Sequence, residues 1–127
     1  MIRILAIGAG GALGAIARYG LTSWVARAAP GLFPLGTAVV NVAGCLAIGV
    51  LMRLVEASEA LGPNLRLFLI VGFLGSLTTF STVGYETFHF LRTGEPKVAL
   101  ATVAVNLAVG LAAVTLGWTA ARWLAVG

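Results

Sequence analysis

Four long apolar segments dominate the chain, at about residues 4–26, 34–55, 66–91 and 98–124. Each has roughly the 20 residues that a helix needs to cross the hydrocarbon core of a bilayer. Only 9% of the 127 residues are charged, whereas about 25% is usual in a soluble domain. The sequence therefore predicts an all-α integral membrane protein, with residues 1–127 forming a single domain of four transmembrane helices.

The composition argues against several classes of function. The net charge is +4, but the basic residues are scattered rather than gathered in the stripe that nucleic-acid binding requires. Cys45 is the only cysteine, so no intrachain disulfide can form. No nucleophile–base pair, metal-ligand set or phosphate-binding loop is visible. We therefore expect no enzymatic activity, no nucleic-acid partner and no organic cofactor.

The first segment also has features of a signal peptide, because Arg3 precedes an apolar run and Ala26, Arg27 and Ala28 resemble a cleavage site. Arg18 interrupts that run, and three more apolar segments follow it. We therefore expect a first transmembrane helix at this position.

Basic residues are almost evenly divided between the two ends of the predicted bundle. With four spans, one side of the membrane carries Arg3, Arg53, Arg66 and Arg122, and the other carries Arg27, Arg92 and Lys97. Because the Lys/Arg bias orients a membrane protein, this balance favours insertion in both directions, although short loops alone make such a count noisy. Four helices barely enclose a polar path, so we expect a homodimer, antiparallel if both orientations occur.

The third segment contains a cluster of glycines and hydroxyl residues at membrane depth, over residues 72–82. Glycine costs about 1 kcal/mol relative to alanine inside a helix, and Ser and Thr side chains offer the backbone other hydrogen bonds. A break near residues 75–79 would free carbonyls for a hard cation such as Na⁺ or Ca²⁺. It would also direct a helix N-terminus inward, where anions are favoured. The alternative is a bent, continuous helix whose hydroxyls bond one turn back.

Other polar residues inside the spans each have a functional and a structural interpretation. Arg18 either attracts anions at a vestibule or extends its charge to the interface. Thr37 and Asn41 lie one turn apart and either line a pore or hydrogen-bond between helices. Glu86 is the one acid deep in a span, and its role stays open. For Asn106 and Thr115, in the fourth span, we expect interhelical hydrogen bonds.

The chain resembles the Fluc (CrcB) family of fluoride channels. Three stretches carry the resemblance, in the same order as in the family: residues 11–19 (GALGAIARY), 36–44 (GTAVVNVAG) and 72–82 (GFLGSLTTFST). The resemblance implies an antiparallel, dual-topology dimer with two fluoride pores. It also implies a structural Na⁺ at the dimer centre, held by the backbone carbonyls of Gly75 and Thr78.

The resemblance further implies roles for individual side chains. Asn41 matches a pore-lining asparagine, and Phe80 matches the first of two pore phenylalanines, whose positive ring edge can face an anion. Ser81 and Thr82 match polar residues beside the pathway, and Arg18 matches the arginine of the first span.

Two positions depart from the family pattern. Val83 stands where the second pore phenylalanine belongs, and valine offers no ring edge, so Tyr85 or another ring would have to substitute. Gly110 stands where a pore-side serine is expected.

The expected function is passive export of cytoplasmic fluoride across the inner (plasma) membrane, which would give fluoride resistance. Two alternatives come from other classes. A small multidrug-type exporter also has four spans and dual topology, but it depends on an acid in the first span, and this first span has none. A non-transporting scaffold subunit would explain the glycines but not the hydroxyl cluster.

Overall fold

The computed structural model describes residues 1–31, 33–57 and 61–124, with only the backbone of Leu124. Its first two helices are α1 (Ile2–Ala28) and α2 (Leu35–Ala57). The third span, α3, extends over Pro63–Arg92 with an interruption. The fourth, α4, comprises Pro96–Ala104, Val105–Val109 and Gly110–Leu124 in succession.

All four helices are long and apolar enough to cross a membrane. The prediction of an all-α chain with four spans is therefore confirmed, and the predicted ends differ from those in the structure by at most three residues. The middle of the second predicted loop, residues 58–60, lies outside the described residues.

Proline and glycine determine where the last two helices begin and end. Pro63 and Pro96 occupy the first turns of α3 and α4, where a missing N–H costs no intrahelical hydrogen bond. Between the helices, Gly94 adopts φ +82°, a conformation that glycine reaches without steric cost. The Glu95 amide then donates to the Phe90 carbonyl at 2.8 Å, which closes a tight turn.

Glycines allow α1 to pack backbone-to-backbone against the first half of α3. A Cβ atom added to Gly10 would overlap the Phe68 carbonyl, and one added to Gly14 would overlap the Phe73 carbonyl. Gly72 of α3 makes the reciprocal contact with the backbone of α1. This is the close approach that a small-xxx-small pattern permits.

A second glycine seam joins α2 to the second half of α4. Gly49 lies against the Val114 carbonyl, and Gly117 lies against the Leu46 carbonyl. Both glycine contacts lie within one chain. They carry no information about a homodimer.

Two segments are π-helical, Leu67–Leu74 in α3 and Val105–Val109 in α4, and the sequence did not indicate either. A π-helical turn widens the helix and shifts the register of the following residues, and such turns are frequent at functional sites. Both segments contribute residues to the groove described below.

Candidate functional site at the break in α3

The third helix is broken at two adjacent threonines. The α-helix that precedes the break ends at Leu77, and a new helix begins at Phe80. Between them Thr78 (φ −84°, ψ 156°) and Thr79 (φ −150°, ψ 112°) have extended backbones. The predicted break is therefore confirmed, and the alternative of a continuous bent helix is wrong.

The break redirects two backbone amides. In a continuous helix the Thr79 and Thr82 amides would donate to the carbonyls of Gly75 and Thr78, four residues earlier. Here the Thr79 amide donates to Oδ1 of Asn41 at 2.7 Å. The Thr82 amide donates to Oγ1 of Thr79 at 3.2 Å, so Thr79 is the N-cap of the new helix. The Gly75 and Thr78 carbonyls consequently lose their usual helical donors.

Asn41 supports the broken backbone from the neighbouring helix. Its Nδ2 donates to the Thr79 carbonyl at 3.2 Å and to Oδ1 of Asn106 at 2.7 Å. Asn106 in turn donates from Nδ2 to the Thr102 carbonyl at 2.8 Å. Both amide hydrogens of Asn41 therefore make hydrogen bonds. The orientation of its side-chain amide is fixed because Oδ1 faces the Thr79 N–H and Nδ2 faces the Thr79 carbonyl. Within one chain, Asn41 links α2 to α3 and α4.

The two predictions for the fourth span have opposite outcomes. The Asn41–Asn106 bond joins α2 to α4, so the expected interhelical role of Asn106 is confirmed. The Thr115 hydroxyl donates to the Leu111 carbonyl at 3.1 Å in its own helix. The prediction for Thr115 is therefore wrong, because the nearest acceptor is a carbonyl one turn back rather than a group on another helix.

Three hydroxyl groups meet at the start of the new helix. Oγ1 of Thr79 lies 3.2 Å from Oγ of Ser81 and 2.9 Å from Oγ1 of Thr82. Either member of each pair can be the donor, because hydroxyl hydrogens rotate. Thr79 is buried, Thr82 is half-buried and Ser81 is exposed. The cluster thus presents adjustable donors on the single chain's surface.

The break opens onto a groove of about 360 Å³. The groove is bordered by Asn41, Gly44, Cys45, Ile48, Ile70, Leu74, Gly75, Thr78, Thr79, Phe80, Val83, Asn106 and Leu107. Of the predicted pore and cation residues, Asn41, Gly75, Thr78 and Phe80 therefore border one space. Ser81 and Thr82 are joined to it through Thr79.

The aromatic side chains around the break have contrasting environments. Phe80 is 80% exposed, although it borders the groove, whereas Val83 is only 5% exposed. Tyr85 is 68% exposed, and its ring stacks on that of His89 at a centroid distance of 6.2 Å. Tyr85 does not border the groove, so within one chain it does not substitute for the ring that Val83 lacks.

A second hollow, of about 410 Å³, lies where α1, α2 and the second half of α3 meet. At its wall the Thr37 hydroxyl donates to Oε1 of Glu86 at 2.6 Å. Oε2 of Glu86 is buried and has no hydrogen-bond partner in the part of the chain that the structure describes. Thr22 also borders this hollow, but Arg18, one turn earlier on α1, does not. Thr37 and Glu86 thus form a polar pair apart from the Asn41 cluster.

Thr79 is the central residue that inspection of the sequence did not single out. Its backbone pairs with Asn41, and its hydroxyl organises Ser81 and Thr82. Threonine is a favoured N-cap residue, and its position just before the second half of the interrupted helix is the signal that would have identified it.

Comparison with known proteins identifies the family of the chain. Residues 5–118 match the model of the family described as CrcB-like protein, Camphor Resistance (CrcB). The chain belongs to the CrcB-like family. The broken third span and its hydroxyl cluster lie within the matched residues.

Several relatives of this CrcB-like chain are described as the fluoride-specific ion channel FluC. The protein of Nitratidesulfovibrio vulgaris is 46% identical over 117 residues, which cover 92% of this chain and 94% of the relative. That of Geotalea daltonii is 43% identical over 124 residues, 98% of this chain and 100% of the relative. That of Chloroflexus aurantiacus is 42% identical over 123 residues, 97% and 98% respectively.

Proposed function

We propose that this chain forms a fluoride-specific ion channel that exports cytoplasmic fluoride passively across the inner (plasma) membrane. Relatives described as fluoride-specific channels match nearly the whole chain, and they are described as channels rather than enzymes. The observation that carries the proposal is the break in α3, where redirected amides and three hydroxyls adjoin an exposed Phe80. Irregular backbone at membrane depth is tolerated only inside protein or along a watery path.

The working unit that we propose is an antiparallel homodimer of dual topology. Gly75, Phe80 and Ser81 are all exposed on the single chain, at the level of the break. Polar groups and irregular backbone there are costly against lipid, and a second copy would cover them. The near balance of basic residues between the two ends supports insertion in both directions.

A structural Na⁺ at the dimer centre fits the carbonyl groups at the break. The carbonyls of Gly75 and Thr78 lack the amide donors of a continuous helix, because those amides bond Asn41 and Thr79 instead. Backbone carbonyl oxygens are suitable ligands for a hard cation. Two copies would supply four such oxygens, and the bound cation would neutralise their partial charges.

Fluoride must exchange its tight hydration shell for donors on the protein. The hydroxyls of Thr79, Ser81 and Thr82 can each rotate toward an anion, and the positive ring edge of Phe80 can face it without offering a full charge. Thr37 could supply a further hydroxyl when it is not bonded to Glu86. Asn41 keeps this arrangement in place and borders the same groove.

A positive charge at the mouth of the path would attract anions. Arg18, half-buried in α1, would raise the local concentration of anions in a vestibule.

A negative-inside membrane potential drives the anion outward with about 2.3 kcal/mol per charge per 100 mV. Undissociated HF enters through lipid and dissociates inside, so no energy source beyond this gradient is needed.

Efflux from vesicles tests the proposal directly. The purified protein is reconstituted in liposomes loaded with potassium fluoride, and a potassium ionophore starts efflux that a fluoride electrode records. We expect fluoride release far above that of protein-free vesicles. Matched vesicles loaded with potassium chloride should release little chloride, as recorded with a chloride electrode. Release no faster than from protein-free vesicles would refute the channel and leave the scaffold alternative.

The cation is tested separately, by stability rather than by flux. Thermal unfolding of the dimer is compared in Na⁺ and in an organic cation too large to fit between carbonyls. A ligand that binds only the folded state stabilises it by about 1.4 kcal/mol for each tenfold excess over its dissociation constant. Identical unfolding in the two salts would contradict the Na⁺ site.

A further inference from the structure

An arginine-lined groove lies at the end of the molecule where α1 and α3 begin. Its volume is about 350 Å³, and it is bordered by Arg3, Pro63, Arg66, Leu67, Ile70 and Val71. The five residues of α3 therefore face the same groove, together with Arg3 of α1. The groove therefore has two cationic residues at its outer end and an apolar floor that continues toward the membrane interior.

Among the described residues, both arginines have unused hydrogen-bonding capacity. Nε of Arg66 donates to the Leu61 carbonyl at 3.0 Å, which orients the guanidinium group but uses only one of its donors. No ion pair with an acid holds Arg3 or Arg66 among the described residues. Two arginines on the same side of one groove repel each other, and an anion between them would relieve that repulsion.

We propose that this groove binds an anionic phospholipid, with the phosphate between Arg3 and Arg66 and one acyl chain along Leu67, Ile70 and Val71. A guanidinium group matches the geometry of phosphate oxygens and binds them in pairs. Basic pockets between transmembrane helices are known to receive anionic lipid headgroups. At about 30 Å³ per water molecule, the groove holds roughly a dozen water-sized groups. It therefore accommodates a phosphate and the first methylenes of a chain.

The apolar floor distinguishes a lipid from a free anion. A phosphate ion would use only the outer end of the groove and leave Val71, which is 52% exposed, uncovered. A lipid satisfies the charge and the apolar surface together. The site is independent of the proposed fluoride function, and in an antiparallel dimer one such groove would face each leaflet.

Native mass spectrometry of the detergent-solubilised full chain tests this site. The protein is titrated with phosphatidylglycerol and, separately, with phosphatidylcholine of the same acyl chains. We expect retained phosphatidylglycerol, and about 30-fold weaker binding in the Arg3→Gln/Arg66→Gln double variant, the equivalent of about 1 kcal/mol per arginine. The matched control is Arg27→Gln/Arg92→Gln, which removes two arginines from the opposite end and should bind like wild type.

Size-exclusion profiles and thermal unfolding in lipid-free detergent verify that the variants are folded. If the double variant does not purify as wild type does, Arg3→Gln and Arg66→Gln are measured singly, with about fivefold loss expected for each. Equal binding of the two lipids, or equal loss in the control pair, would overturn the proposal. Displacement of phosphatidylglycerol by millimolar inorganic phosphate would also overturn it, because the site would then recognise a free anion.

Discussion

Helix α2 contacts α4 at the glycine seam and contacts α3 at its break, and the two contacts are of opposite kinds. At the seam, Gly49 and Gly117 bring backbones together, and the contact is steric. At the break, Asn41 replaces missing helical hydrogen bonds, and the contact is polar and adjoins an open groove. The comparison teaches that a helix packed rigidly on one side can support an irregular backbone on another side.

The largest expected effect is on transport, from Asn41→Asp. A carboxylate has no hydrogens for the Thr79 carbonyl or for Oδ1 of Asn106, and leaving buried polar groups unpaired costs about 1–3 kcal/mol each. We expect fluoride efflux from liposomes to fall about 100-fold or more while the dimer is still recovered by size exclusion.

Thr115→Ala is the matched control for Asn41→Asp, because the Thr115 hydroxyl bonds only its own helix. Wild-type efflux from Asn41→Asp would show that the break does not depend on Asn41. A large loss in Thr115→Ala would instead indicate that flux responds to any polar change in the bundle.

The next largest effect is on thermal stability. We expect the loss to be greatest where the least space surrounds the glycine, at the seam. In Gly49→Ala the new methyl would overlap the Val114 carbonyl, and overpacking of this kind costs about 1–3 kcal/mol. In Gly110→Ala it would meet Sγ of Cys45 at 3.3 Å, where a movable side chain can yield. Gly20→Ala meets nothing within 4 Å. The unfolding temperature should fall most in Gly49→Ala, less in Gly110→Ala and least in Gly20→Ala. Equal unfolding temperatures would contradict the close packing at the seam.

A smaller effect is expected from Thr79→Val, which removes the N-cap of the second half of α3. Loss of a capping hydroxyl costs about 1 kcal/mol, and Thr82 loses the acceptor for its amide. We expect lower unfolding temperature and slower fluoride efflux, with both restored in Thr79→Ser. A Thr79→Ser variant as impaired as Thr79→Val would show that the methyl group, and not the hydroxyl, is required.

The smallest effect is expected from Tyr85→Leu. Within one chain the Tyr85 ring does not border the groove and stacks on His89 instead, so we expect that it does not replace the ring that Val83 lacks. Efflux should stay close to that of wild type, whereas Phe80→Leu should reduce it strongly. A comparable loss in both variants would place Tyr85 on the path, with its partner groups supplied by the second copy.

The number and extent of the spans could be predicted from the sequence because each depends on local composition. The same is true of the break, since Gly75 and the run of Ser and Thr residues weaken a helix wherever they occur. The π-helical turns at Leu67–Leu74 and Val105–Val109 could not be predicted. Apart from Gly72 and Asn106, their residues are ordinary apolar types that α-helices also contain.

Side-chain partners were the least predictable part of the site. Asn41 was a candidate pore donor or an interhelical contact, and only its position opposite Thr79 identifies what its amide bonds within one chain. Thr37 was grouped with Asn41 on one helical face, yet its hydroxyl bonds Glu86 in a different hollow. The partners of Gly10 and Gly14 on the backbone of α3 are likewise evident only from the structure.

The sequence by itself determined that this protein crosses a membrane four times, that its third helix is weak near residue 78, and which family it resembles. Each of these follows from residue types in consecutive positions. Only the tertiary structure decided that the Thr79 amide bonds Asn41, that the Gly75 carbonyl thereby loses its donor, and that two arginines border one groove. These depend on atoms from residues far apart in the chain, whose distances are set by how closely the helices pack.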